Sequence, residues 1–258
     1  LNNLRCFFAS RCILEVDTPL LCRASITDPS IEVFSVRTQS NNNPECRFLQ
    51  TSPEYAMKRL LAAGIGDIFQ ISKSFRKGEF GRNHNPEFTV LEWYRTNWDH
   101  NSLIREVAEL LCQILDQTGW QVWPYRVLFQ ELLDFDPLGP KSQLSDLLNL
   151  ATHHIQELPD ELDTDGVLDL LMTHCIEPRI REWGIVFITD FPASQASLSK
   201  TYTKLGVEVA ARFECYVNGL ELANGYFEQT EAGILKERFQ RDIEKRSQRG
   251  LSQLDMDR

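Results

Sequence analysis

No stretch of this 258-residue chain is long and apolar enough to span a membrane, and its first residues lack the basic-then-apolar order of a secretory leader. Positive charge is also scarce. The 27 Lys and Arg stand against 37 Asp and Glu, a formal net charge of -10. A general nucleic-acid-binding surface needs clustered cations to meet phosphates, so this balance argues against one, and against tRNA as a partner. The seven cysteines (6, 12, 22, 46, 112, 175 and 215) contain no C-x-x-C pair. They fit thiols in a reducing cytosol better than a disulfide framework or a zinc site. No internal repeat, low-complexity tract or long Gly/Ser linker divides the chain, so one domain over residues 1–258 is expected. A soluble cytoplasmic protein is expected too, and the absence of an initiating Met suggests a chain that begins inside a longer gene product.

What the chain does have is concentrated between Phe75 and Arg95. Two β-type runs, Asp67 to Arg76 and Glu87 to Tyr94, flank a basic, Gly-broken loop from Lys77 to Pro86. The spacing predicts an antiparallel hairpin with Arg76 at the loop entrance and Phe88 just past its exit. Arg offers a rigid fork of donors suited to phosphate, and a ring on the returning strand could stack on a base. The bland alternative is a solvated loop and a core phenylalanine. On the second strand Phe88, Val90, Glu92 and Tyr94 share one face by the two-residue period. Glu92 among large apolar neighbours must meet a cation, a metal or hydrogen-bond donors.

This hairpin resembles motif 2 of the class II aminoacyl-tRNA synthetases, in the form found among lysyl-tRNA synthetases. The run His84-Asn85-Pro86-Glu87-Phe88-Thr89 is nearly diagnostic. Leu91-Glu92-Trp93-Tyr94-Arg95 and Phe191-Pro192-Ala193-Ser194-Gln195-Ala196-Ser197-Leu198 are similar to the branch of that family that modifies elongation factor P. The resemblance implies an α+β fold, a mainly antiparallel sheet flanked by helices, with a helical insertion over about 128–181. It implies a homodimer through Leu4 to Pro19, which is similar to motif 1. It also implies ATP-dependent activation of lysine or (R)-beta-lysine as an adenylate, then transfer to a lysine side chain of elongation factor P.

Carried over position by position, the resemblance makes Arg76 and Glu221 catalytic candidates. Arg76, Lys77, Gly78, Asn85, Phe88, Glu221 and Leu222 match ATP-contacting positions. Ser52, Pro53, Glu54, Tyr94 and Glu228 match the amino-acid pocket. Glu221, with Glu228, is the candidate for magnesium, which takes oxygen ligands. Pattern alone reads Ser52-Pro53-Glu54 as an ordinary helix start and Glu221 and Glu228 as a solvated strand face. Those two carboxylates stand seven positions apart, on opposite faces of a regular strand, so one shared pocket needs an extra residue between them. Asn224-Gly225 is the expected bulge.

Elsewhere, helices are expected at Leu4 to Arg11, Pro53 to about Ala63, Asn101 to Thr118 and Thr230 to Arg249, the last with Thr230 as N-cap. Strands are expected at Cys12 to Val16, Arg47 to Thr51 and Gly184 to Asp190. Asn218-Gly219 signals a hairpin. Two departures from the family stand out. Phe75-Arg76-Lys77-Gly78 replaces the usual Phe-Arg-Asn-Glu, with Glu79 as a possible substitute at the adenine. The Gly-rich motif 3 is absent after Gly250, which implies weak ATP binding and an unpaired sheet edge. Alternatives are a fragment of a true lysyl-tRNA synthetase, or a non-catalytic dimerising relative that lost motif 3.

Overall fold

The computed structural model describes residues 1–40, 43–140 and 142–251. Its helices are α1 Asn2–Ala9, α2 Glu54–Ala62, α3 His100–Leu115, α4 Tyr125–Leu133, α5 Leu144–His154, α6 Thr164–Leu171, α7 Glu177–Ile180 and α8 Ala232–Gln248. Its strands are β1 Leu14–Glu15, β2 Leu21–Cys22, β3 Ser35–Ser40, β4 Asn43–Leu49, β5 Ile68–Phe75, β6 Glu87–Tyr94, β7 Trp120–Pro124, β8 Ile185–Pro192, β9 Thr201–Lys204, β10 Val207–Val217 and β11 Leu220–Tyr226. The class is α+β, as the sequence implies. The chain divides into two compact units, residues 1–97 with 231–258 and residues 98–230.

The first unit is built on the β5–β6 hairpin, whose register runs from Ile68 opposite Tyr94 to Phe75 opposite Glu87. The predicted alternation therefore holds to within one residue. β1 adds in parallel to β5 and is only two residues long, shorter than the Cys12 to Val16 expectation. Phe8 of α1 stacks on Phe69 at 4.4 Å, which fastens the first helix to this sheet. β2, β4 and β3 form a second, antiparallel sheet.

α8 has Glu231 rather than Thr230 at its N-cap position, and no side chain caps it. Its Arg246 is also not the solvated end-of-helix cation that its position suggests. The side chain is 1 % exposed and donates from Nη1 to the carbonyls of Asp28 and Ile31, at 2.6 and 2.9 Å. Loop 28–31 contains two carbonyls that need donors, and a fork fills that need better than a point charge would.

The second unit has the strand order β11-β10-β8-β7, with β9 also on β10. β8 is buried along its whole length, because helices cover its face and β7 runs parallel beside it. β7 is missing from the sequence reading: five residues with no alternation give no signal until their parallel partner is known. The apolar core gathers α4, α5, α6 and the turns through Ile180 against Val186, Ile188 and Phe191 of the sheet. Helices α4 to α7 fill most of the stretch over about 128–181 that the sequence reading expects to be helical. α3 ends at Leu115, three residues short of the expected Thr118, with Asp116 after it in a left-handed conformation.

Asn218 and Gly219 both take positive φ, 53° and 76°, as a tight hairpin turn between right-twisted strands requires. The bulge lies elsewhere than expected. Tyr216 pairs with Glu221 and Cys215 with Ala223, so Leu222 is the extra residue, and the ladder from Ala223 to Tyr226 is regular. Gly225 serves packing instead. A Cβ there would lie 2.4 Å from Cζ of Phe213. Gly225→Ala is expected to destabilise the protein by about 1–3 kcal/mol through overpacking. An unchanged melting temperature would remove this explanation of the glycine.

Candidate active site

In the first unit the motif-like hairpin aims Arg76 along Phe88, with the guanidinium carbon 5.2 Å from the ring centroid. The backbone N–H of Arg76 donates to the Pro86 carbonyl, which closes the loop at its base. Nη1 sits 3.6 Å from Glu79, while the buried Nε has no hydrogen-bond partner. A buried guanidinium donor left unpaired is costly unless a ligand is meant to take it. Lys77 is tied to Glu32, by its N–H to the backbone carbonyl at 3.0 Å and by Nζ to the carboxylate at 3.3 Å. Gly78 follows at φ +85°, a left-handed position that suits glycine. Asn85 is exposed on the loop.

The same unit holds an acid pair on the neighbouring strand and helix. Ser52 Oγ donates to Glu92 at 2.7 Å and accepts from the Glu54 N–H at 3.1 Å. Thus Ser52 bonds the first N–H of α2 and the acid at once, although Pro53 holds the N-cap position and no side chain caps the helix. Tyr94 donates to the other oxygen of Glu92 at 2.6 Å, and Lys58 donates to Glu54 at 2.6 Å. Glu92 is the residue the sequence singles out for its awkward burial without giving it a role. Its carboxyl is pushed up to about 7, by desolvation first and then by the Glu54 charge, against the pull of Tyr94, Ser52 and Lys58. Beside it, Ser52, Glu54, Tyr55, Arg59, Gln50 and Arg23 line part of a cavity of about 580 Å³.

The raised Glu92 carboxyl has a consequence for stability. Its folded value lies above the unfolded one, so its contribution is complete below about 4.5 and is lost as pH rises through about 7. Wild type should therefore lose stability relative to Glu92→Gln across that window. Melting curves of the two that run parallel from pH 4.5 to 8 would contradict the burial of this charge.

In the second unit the Leu222 bulge decides which side chains meet. It puts Glu221, Asn224 and Tyr226 of β11 on the face of β10 that carries Arg212, Glu214 and Tyr216. Glu214 is held twice, by Nη2 of Arg212 on one oxygen and by the Tyr216 hydroxyl at 2.6 Å on the other. Glu221 is exposed as a residue, but its carboxyl lies among Glu214 and Glu177. It is raised by desolvation first and then by Glu214, while Arg212 and a hydrogen bond from Asn224 oppose the rise. Glu228 lies past the ladder, in a separate bridge with Ser199, and Leu222 is exposed. Glu214 is the acid that sequence reasoning missed. It looks like one more strand residue until the register sets it beside Glu221.

The predicted site residues thus form two groups, each within one unit: Ser52, Pro53, Glu54, Arg76, Lys77, Gly78, Asn85, Phe88 and Tyr94 in one, Glu221, Leu222 and Glu228 in the other. No cluster of three or more His, Cys, Asp or Glu stands together as a metal cage among the described residues. All seven cysteines are free thiols, and no helix among the described residues is long and apolar enough to cross a membrane.

The model for tRNA synthetases of class II (D, K and N) matches residues 1–253. Among curated proteins, the chain is 43 % identical over 261 residues to the "Elongation factor P--(R)-beta-lysine ligase" of Enterobacter sp. (strain 638), covering 100 % of this chain and 79 % of that protein. It is 45 % identical over 259 residues to the protein of the same name from Salmonella gallinarum (strain 287/91 / NCTC 13346), covering 99 % and 79 %.

Proposed function

Because the chain belongs to the class II tRNA synthetase family (D, K and N), we propose that it activates (R)-beta-lysine or lysine with ATP and transfers it to a lysine side chain of elongation factor P. The observation that carries this reading is the half-buried Glu92, hydrogen-bonded by Ser52 and Tyr94, with Glu54 and its Lys58 partner beside it. Glu54 at the wall of a 580 Å³ cavity, with Glu92 joined to it through Ser52, suits a small substrate bearing ammonium groups. Within the first unit Ser52, Pro53, Glu54 and Tyr94 would contact the amino acid, with Glu92 added to them; Glu228 of the second unit is a separate candidate for a substrate amine.

In the first step a carboxylate oxygen of the amino acid attacks the α-phosphorus of ATP, the P–O bond to pyrophosphate breaks, and an acyl-adenylate forms. The protein aligns the reactants and meets phosphate charge. Arg76 would bind the α-phosphate with its guanidinium fork, Phe88 would stack on adenine, and Lys77, Gly78 and Asn85 would shape the loop over the nucleotide. In the second step the acceptor nitrogen attacks the acyl carbon. The C–N bond forms, the acyl C–O bond breaks with its electron pair on AMP, and the nitrogen sheds its protons to solvent.

Magnesium commonly takes one or two carboxylates plus substrate phosphates rather than a full protein cage. Glu214 and Glu221 offer that number on one face, and their mutual repulsion favours a shared cation. They would hold the ion, which neutralises phosphate charge when bound. Glu228 is then left for the substrate amine. We further propose a cytoplasmic homodimer through the Leu4 to Pro19 region.

The test is amino-acid-dependent ATP–pyrophosphate exchange, followed by tracing labelled (R)-beta-lysine and lysine onto elongation factor P and onto tRNA. Label on elongation factor P supports the reading. Label on tRNA makes the protein a lysyl-tRNA synthetase, and no exchange with either amino acid makes it a non-catalytic relative.

A further inference from the structure

The run Phe191 to Leu198 takes no part in the proposed chemistry, yet it is tied to the helical insertion by two side chains. Ser194 Oγ donates to Oδ1 of Asp165 at 2.6 Å, and Gln195 Nε2 donates to Oδ1 of Asp169 at 2.9 Å. Asp165 and Asp169 are four apart on α6, so they stand on one face a turn from each other. Each uses one oxygen in these bonds, and the second oxygen of each has no partner among the described residues. Neither makes an ion pair there.

Behind them lies Tyr125, 1 % exposed, with a hydroxyl that has no hydrogen-bond partner. Asp169, Glu214 and Asp165 are its charged neighbours, and Arg212 is its cationic one. Arg212 is already committed, with Nη1 on the Gln195 carbonyl at 2.9 Å, Nη2 on Glu214 and its plane over Phe191 at 4.7 Å. A buried hydroxyl without a partner and two half-used carboxylates together leave more acceptor capacity than the single O–H can fill, and two acidic groups with no cation bonded to them among the described residues. The described residues hold no group of metal-ligating side chains, so a bare metal ion is a poor match. A primary ammonium, with three N–H donors and one charge, supplies what is missing.

We propose that Asp165, Asp169 and Tyr125 form a docking niche for a primary ammonium, and that its occupant is the lysine side chain of the acceptor protein. This rests on the reading above, in which the acceptor nucleophile is a lysine amine. The niche shares Glu214 with the acid pair assigned to magnesium, so it lies beside the chemistry without belonging to it. An acidic entry of this kind admits a cationic side chain and repels the phosphates of an RNA acceptor.

The experiment compares wild type with Asp165→Asn/Asp169→Asn, and with Tyr125→Phe, which removes only an unbonded hydroxyl. Transfer to elongation factor P should fall about tenfold or more in kcat/KM for the double variant, since a desolvated charge partner is lost. The KM for lysine in pyrophosphate exchange should stay within about twofold, because that half-reaction does not use the niche. Unchanged transfer overturns the proposal. A lysine KM that rises in step with the transfer defect also overturns it, by showing that the activated amino acid is the occupant. Titration with n-butylammonium reads the niche without any chemistry. It should bind at least about tenfold more weakly to the double variant, and equal binding overturns the proposal. Wild type that binds n-butylammonium but shows no exchange would instead count against the proposed activity.

Discussion

Arg76→Ala is expected to lower amino-acid-dependent pyrophosphate exchange by about 10²–10³-fold, the range seen when one donor to a developing oxyanion is removed. The structure supplies the reason in the resting state. The guanidinium is placed over Phe88 at 5.2 Å, its one ionic contact is a 3.6 Å approach to Glu79, and its buried Nε is unpaired. None of those contacts accounts for ordering so long a side chain, which a phosphate would. Arg76→Lys should recover only part of the rate, because a point charge cannot reproduce the planar fork. Both variants should melt within about 1 kcal/mol of wild type, since little folding energy rests on an incompletely bonded cation. Full exchange activity in Arg76→Ala would refute the phosphate role and with it the catalytic assignment of this hairpin.

Much of this arrangement is written in local sequence. The β5–β6 hairpin announces itself because alternation and turn chemistry act between near neighbours, and Asn218-Gly219 fixes the second hairpin for the same reason. Glu92 is conspicuous as an acid among apolar residues on a strand face, and its donors Ser52 and Tyr94 follow from that burial. Other features depend on partners far away in the chain. Gly225 looks like a place for a bulge, yet its lack of a side chain makes room for the ring of Phe213, and the bulge falls one turn of the pleat earlier at Leu222. Glu214 acquires meaning only through that shifted register. Arg246 has the position of a helix-end cation, and only the distant carbonyls of Asp28 and Ile31 explain its burial. In each case the local rule was sound and a tertiary contact outweighed it.

Glu221→Gln is expected to raise the magnesium requirement of pyrophosphate exchange and to cut its rate on the order of 100-fold, as befits loss of one of two carboxylates neutralising a triphosphate. The fold should tolerate the change well. The substitution removes a charge that Glu214 and Glu177 already oppose, and the amide keeps polar atoms near Asn224. Glu214→Gln is the less clean experiment, because it would strip Arg212 of its ionic partner within a buried group and cost stability as well as metal. Glu228 provides the contrast. If it serves the substrate amine, Glu228→Gln should raise the amino-acid KM and leave the magnesium midpoint where it was. The reverse pattern, with magnesium dependence moving in Glu228→Gln and not in Glu221→Gln, would reassign the metal to the end of β11 and show that the register at Leu222 does not select the ligands. The pairing of Tyr216 with Glu221 makes the first outcome the expected one, since it sets Glu221 beside Glu214 on a single face of the sheet.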